Sequence, residues 1–118
     1  SINDCYGHDV GDAVLVDFAR QMRLRIRLSD SFGRIGGEEF MLILPGLTAD
    51  DGRLVLEPIL ESISERAFCG VGHCFAYTVS AGLVACHCKD SASSLFSRAD
   101  QALYDAKQSG RNRIRIAA

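Results

Sequence analysis

Two adjacent glycines, Gly36 and Gly37, lie between two β-rich runs, Ser31-Phe32-Gly33-Arg34-Ile35 before them and Phe40-Met41-Leu42-Ile43-Leu44 after them. No other stretch restricts the fold as strongly. Glycine tolerates positive φ, so a Gly-Gly pair between strands predicts a tight antiparallel hairpin. Glu38 and Glu39 follow directly. They set two carboxylates at the tip, beside backbone that a phosphate can approach closely. Paired carboxylates at an exposed turn suit Mg²⁺, which takes its remaining oxygens from water and substrate phosphates. A plain acidic hairpin is the other reading of these residues.

The elements around the hairpin follow from periodicity. Ser1 to Asp12 is polar and turn-rich, and carries Asn3, His8 and Asp12, whose side chains can read a base edge. From Ala13 to Leu28, apolar residues recur at Val14, Leu15, Phe18, Met22 and Ile26, close to helical spacing, with arginines at 20, 23, 25 and 27 on the polar face. Pro45-Gly46 ends the second hairpin strand. Thr48 to Asp51 reads as a helix N-cap followed by first-turn acids, opening a helix with Leu54, Leu56, Ile59, Leu60 and Ile63. Pro58 predicts a kink or a restart in it. Residues 67–74 read as a loop and 75–85 as a strand, with Gly82 a bulge or a point of close approach. Ser91 to Ser109 reads as a helix with Ser91 or Ser93 as its N-cap, burying Leu95, Phe96, Ala99, Ala102, Leu103 and Ala106, with Gly110 as its C-terminal cap. Arg113 to Ile116 closes the chain as a strand. This order predicts an α/β or α+β fold over residues 1–118, a single domain whose central, antiparallel-containing sheet is flanked by helices.

Charge and composition narrow the function classes. The net charge of −2 offers no basic face for nucleic acid. No apolar run approaches the ~20 residues that span a bilayer, so no membrane contact is expected within this segment. Five cysteines with no secretion signal read as reduced, buried or incidental thiols. Cys69, His73, Cys74, Cys86, His87 and Cys88 hold enough soft ligands for zinc, yet their spacing matches no ribbon or finger.

Three segments in order resemble the GGDEF domain of bacterial diguanylate cyclases, in its Gly-Gly-Glu-Glu-Phe variant. They are Ile2-Asn3-Asp4 with Gly7-His8 and Gly11-Asp12, the signature Gly36 to Phe40, and Arg98-Ala99-Asp100 through Tyr104, Ala106-Lys107 and Gly110-Arg111-Asn112-Arg113. The resemblance covers essentially the whole chain. It implies a palm-like nucleotide-cyclase fold, cytoplasmic, with room for a membrane anchor upstream in a longer protein. It also implies condensation of two GTP into cyclic di-GMP and two pyrophosphates by a homodimer, with Mg²⁺ or Mn²⁺ as cofactor.

Roles carry over by position. Glu38 is expected as metal ligand and catalytic carboxylate, with Glu39 as the second, supporting carboxylate. Asp12 and Asn3 are expected to read guanine, because a carboxylate accepts from its adjacent Watson–Crick N–H donors, a set that adenine does not offer Asp12. His8 stands near the base or supports its loop. Gly36 and Gly37 admit the phosphates. Lys107 and Arg111, four residues apart, project from one helical face toward them; a cationic helix end satisfying the dipole is the alternative. Arg27 and Asp30 match the family's Arg-x-x-Asp inhibitory site for cyclic di-GMP, with a helix-end salt bridge as the alternative.

The family's first strand, which carries a further metal-binding Asp, a backbone carbonyl ligand and a Lys, has no counterpart here. Residues 1–118 are therefore expected to form an N-terminally truncated, inactive catalytic domain of a cyclase. A non-catalytic sensor of GTP or cyclic di-GMP, and a zinc-stabilised domain, are the competing readings.

Overall fold

Helix α2, His8–Arg25, takes its shape from four apolar side chains at i, i+4 spacing: Val10, Val14, Phe18 and Met22 are all buried along one stripe. The computed structural model describes residues 2–117, and these divide into two compact units. The first runs to Pro45 and resumes over Glu61–Tyr77; the second holds Gly46–Leu60 and everything from Thr78 onward.

In the first unit the opening residues are helical, correcting the turn-rich reading. Helix α1, Ile2–Tyr6, ends where the Gly7 N–H bonds the Asn3 carbonyl at 2.8 Å, and α2 begins one residue later. The glycines and aspartates here look like turn residues, but burial of Val10 and Gly11 carries the helical stripe back through them. At the other end α2 stops at Arg25, and Ile26 to Leu28 leave the helix because Ile26 is already extended.

Strands β1, Ser31–Gly36, and β2, Glu39–Ile43, pair antiparallel as expected, with a register shift between Arg34 and Gly36. Phe32 and Phe40 stack 5.2 Å apart, and Phe18 of α2 meets both edge-on at 5.9 and 5.1 Å. This aromatic triad seats the hairpin on α2.

Residues 67–74 are a second hairpin rather than a loop. Strands β3, Phe68–Gly70, and β4, His73–Phe75, pair Phe68 with Phe75 and Cys69 with Cys74 around Val71 and Gly72, both at positive φ. Three-residue strands carry too little alternation to be seen in a sequence. Cys69 and Cys74 form a disulfide, against the expectation of reduced thiols, since the register sets them directly opposite one another. Cys5, Cys86 and Cys88 are free thiols, all exposed rather than buried.

Asp17 ties α2 to this segment. Arg66 donates to its two oxygens at 2.6 and 3.1 Å, and the Tyr77 hydroxyl donates at 2.7 Å. Burial pushes the Asp17 carboxyl up, but the bonds from Arg66 and Tyr77 outweigh it and hold it below the usual carboxylate range. Burial, then the bond to Asp17, raises the Tyr77 phenol.

In the second unit the Thr48 Oγ1 accepts from the Asp51 N–H at 3.1 Å and caps helix α3, Ala49–Ser64, whose residues from Glu61 on count with the first unit. The helix runs through Pro58 without a restart. Leu56, Ile59, Leu60 and Ile63 are buried, whereas Leu54, two residues from Leu56 and so on the opposite face, is 70% exposed. The strand expected over 75–85 reduces here to β5, Ala81–Leu83, which pairs parallel with β6, Ile114–Ile116. Helix α4, Ala92–Gln108, is capped by Ser91, whose Oγ accepts from the Ser94 N–H at 3.1 Å. Ala102 and Ala106 are buried, while Phe96, at the edge of the apolar stripe, is exposed. Gly82 is a close approach and not a bulge: a Cβ there would strike the backbone of Ala99 and Leu103. The mixed α+β class stands, with the strands in three two-stranded ladders.

Candidate functional site

The expected base-reading residues lie on α1 and α2. Asn3, on α1, lays its side-chain amide against Gly11, in space that a Cβ at position 11 would occupy. Its Oδ1 is buried and has no hydrogen-bond partner among the described residues. A buried acceptor without a donor is costly, and a ligand N–H is one way to complete it. Asp12 follows Gly11 directly and, with His8 one turn earlier, is exposed near the start of α2. Helical spacing therefore puts His8 and Asp12 on one face. Their candidacy rests on position and chemistry.

The signature forms a hairpin with a two-residue loop, Gly37 and Glu38, closed by Gly36 opposite Glu39. Gly37 adopts φ 50°, a left-handed conformation that an L side chain enters only at a cost. Glu38 and Glu39 are both exposed, at the tip and at the first position of β2. Arg34 was not singled out from sequence, yet its Nε–H donates to the Gly37 carbonyl at 2.8 Å and braces the turn. An arginine three residues before a turn glycine was the available signal. Among the described residues no three or more His, Cys, Asp or Glu side chains gather as a metal cluster. The Glu38 and Glu39 donor set is hard oxygen, which fits a divalent cation held through one or two carboxylates together with substrate phosphates.

Arg27 and Asp30 close on each other. Asp30 accepts from the Arg27 backbone N–H at 2.8 Å, from Nε at 2.9 Å and from Nη2 at 2.7 Å, and Nη2 also donates to the Pro45 carbonyl at 2.9 Å. The Asp30 side chain is fully covered, while that of Arg27 is 43% exposed. The Arg27 hydrogen bonds hold the Asp30 carboxyl below its ordinary range, and Asp30 raises the guanidinium in return. This is the geometry of the ion-pair alternative.

Lys107 and Arg111 belong to the second unit, and the helical argument that paired them does not hold. Helix α4 ends at Gln108; Gly110 turns the chain, the Arg111 N–H bonds the Ala106 carbonyl at 3.0 Å, and Arg111 itself is left-handed at φ 60°. Lys107 lies in the last turn and Arg111 beyond the helix, both exposed. A terminal closure of this type satisfies orphan carbonyls, which is why the helix stops there.

The family model for the diguanylate cyclase GGDEF domain matches residues 1–113. Among curated proteins, diguanylate cyclase DgcP of Pseudomonas aeruginosa is 41% identical over 116 residues, 98% of this chain and 17% of that protein. Diguanylate cyclase DgcM of Escherichia coli is 41% identical over 113 residues, 96% of this chain and 27% of that protein. The chain thus spans well under half the length of these curated relatives. Among solved structures, diguanylate cyclase SiaD of P. aeruginosa in complex with its activator SiaC matches with TM-score 0.91 and 40% identity, over 98% of this chain and 45% of that one. The GGDEF domain of DgcB from Caulobacter crescentus in complex with c-di-GMP matches with TM-score 0.88 and 34% identity, over 98% and 69%.

Proposed function

This chain belongs to the diguanylate cyclase GGDEF family, and from that premise we propose that it is the catalytic domain of an enzyme joining two GTP into cyclic di-GMP. The observation that carries the reading is the two-residue turn that sets Glu38 at an exposed hairpin tip, beside a glycine with no Cβ between backbone and phosphate. In the reaction, the 3′-oxygen of each GTP attacks the α-phosphorus of the other. Two P–O bonds form, two α–β bridges break, and two pyrophosphates leave with loss of two hydroxyl protons. Because each half needs its own nucleotide, two copies must meet, and the active species is a homodimer.

Glu38, with Glu39 beside it, would hold a divalent cation, Mg²⁺ or Mn²⁺, whose charge offsets that of the triphosphate. Glu38 also receives the 3′-hydroxyl proton. Asn3 and Asp12 read guanine, His8 supports that segment, and Gly36 and Gly37 admit the phosphates. Lys107 and Arg111 supply cations for the phosphate charge. Two carboxylates give the cation few protein oxygens, so turnover is expected of the longer protein and not of residues 1–118 alone.

Product inhibition through Arg27 and Asp30 is the finer part of the proposal, supported by the DgcB domain having been solved with c-di-GMP. It requires Arg27 to leave Asp30 and take up a ligand phosphate or guanine edge. The test is cyclic di-GMP formation from GTP and Mg²⁺ by the longer protein, with Glu38→Gln as control. Product from the parent and none from the variant supports the reading; equal product from both overturns it. Nucleotide binding with no product from the parent favours a sensor.

A further inference from the structure

The disulfide Cys69–Cys74 plays no part in the proposed reaction, yet it lies within reach of the base-reading helix through a short chain of contacts. The two cysteines face each other across β3 and β4, with Cα atoms 4.2 Å apart, and both are exposed. Alternation along the strands puts His73 and Phe75 on the other face of the hairpin. There the ring of Tyr6, the last residue of α1, stacks on Phe75 at 4.4 Å and 2°, and meets His73 edge-on at 5.1 Å. Asn3 sits one turn away on the same helix, against Gly11.

Neither α1 nor the β3–β4 hairpin is held by its own local structure. A five-residue helix is far too short to hold itself, so α1 relies on its tertiary contacts. A hairpin with three-residue strands is equally marginal alone. Buried Phe68 packs on Phe75 and Tyr77, and the Cys69–Cys74 crosslink adds a covalent tie between the two strands.

We propose that Cys69–Cys74 is a thiol–disulfide exchange site whose redox state sets the order of α1, and with it the affinity of Asn3 for guanine. The co-reactant is a dithiol. Its thiolate attacks one cysteine sulfur, the Cys69–Cys74 bond breaks, and the other cysteine leaves as a thiol once protonated. The second thiol of the reductant then closes the reductant's own disulfide and releases the remaining cysteine. Two electrons and two protons pass to the protein, and the reverse exchange restores the bond. Exposure of both cysteines provides the access this needs.

The affinity part rests on the cyclase reading; the ordering part does not. The experiment uses the longer protein with Cys5, Cys86 and Cys88 changed to Ser, poised with reduced or oxidised dithiothreitol. Amide hydrogen exchange is read at residues 2–6 and 68–75, beside non-reducing peptide mapping and GTP kinetics. Reduction is expected to release the 69–74 crosslink and speed exchange in both segments by roughly tenfold. It is also expected to raise KM for GTP about threefold or more with kcat less affected. Cys69→Ser/Cys74→Ser should match the reduced protein and ignore the redox poise. Unchanged exchange at 2–6 on reduction overturns the coupling, as does a double variant that still responds. Absence of turnover in both states sinks the cyclase reading, while the exchange data still decide the coupling.

Discussion

The side-chain amide of Asn3 occupies the space that a Cβ on residue 11 would need, so Asn3 and Gly11 are a matched pair across the α1–α2 junction. Gly11 is buried inside a helix, where glycine costs about 1 kcal/mol relative to alanine. Its presence is explained by the amide it admits.

Gly11→Ala is therefore expected to improve helix propensity yet displace Asn3. We expect KM for GTP to rise by roughly tenfold, the size of one lost buried hydrogen bond. Steady-state kinetics beside a thermal melt check this. Unchanged KM would show that Asn3 does not read the nucleotide from this position.

Gly37→Ala separates the structural and chemical roles of the signature turn. Nothing lies within 4 Å of a Cβ built there, so its stability cost is only the left-handed backbone, about 1 kcal/mol. Loss of cyclase activity should exceed what that destabilisation explains. Chemical denaturation and kcat/KM on the same variant give the two numbers.

The Asp17 cluster predicts pH behaviour at both ends. The folded carboxyl lies below its unfolded value, so its stabilisation is present above about pH 4 and is lost as pH falls through the folded value. Tyr77 is raised, so the unfolded state releases its proton first and stability falls above about pH 10. Tyr77→Phe should cost about 1 kcal/mol at neutral pH and flatten the alkaline limb. Melting curves across the pH range test both signs.

Arg27→Ala should relieve inhibition by cyclic di-GMP, raising its half-inhibitory concentration by roughly tenfold or more, since a charge-assisted phosphate contact is lost. Basal turnover at low product should persist. If inhibition is unchanged, Arg27 and Asp30 serve only as the ion pair that closes the turn after α2.

Gly82→Ala places a Cβ against the α4 backbone at Ala99 and Leu103. Backbone cannot step aside as a flexible side chain can, so we expect a loss of about 1–3 kcal/mol by urea unfolding.

Legibility followed the range of the interactions. The signature hairpin, the Thr48 and Ser91 caps and the buried stripe of α2 were all readable, because each depends on neighbours within about four residues in sequence. The helical start of the chain was not, since Gly7, Gly11 and the aspartates signal turns locally while burial of Val10 and Val14 makes the helix. The β3–β4 hairpin escaped notice because three-residue strands show no periodicity. Lys107 and Arg111 lost their shared helical face for a related reason: a cap that forms at Gly110 changes the geometry of every residue after it.

The sequence by itself determined the family, the signature hairpin, the three long helices and the list of candidate site residues, because spacing along the chain encodes turns, stripes and signatures. Only the tertiary structure decided which of those residues touch. It set Asn3 on Gly11, closed Asp30 onto Arg27, joined Cys69 to Cys74 and braced the Gly37 turn with Arg34. Such contacts depend on strand register and on where helices begin and end, which burial and packing settle once the chain has folded.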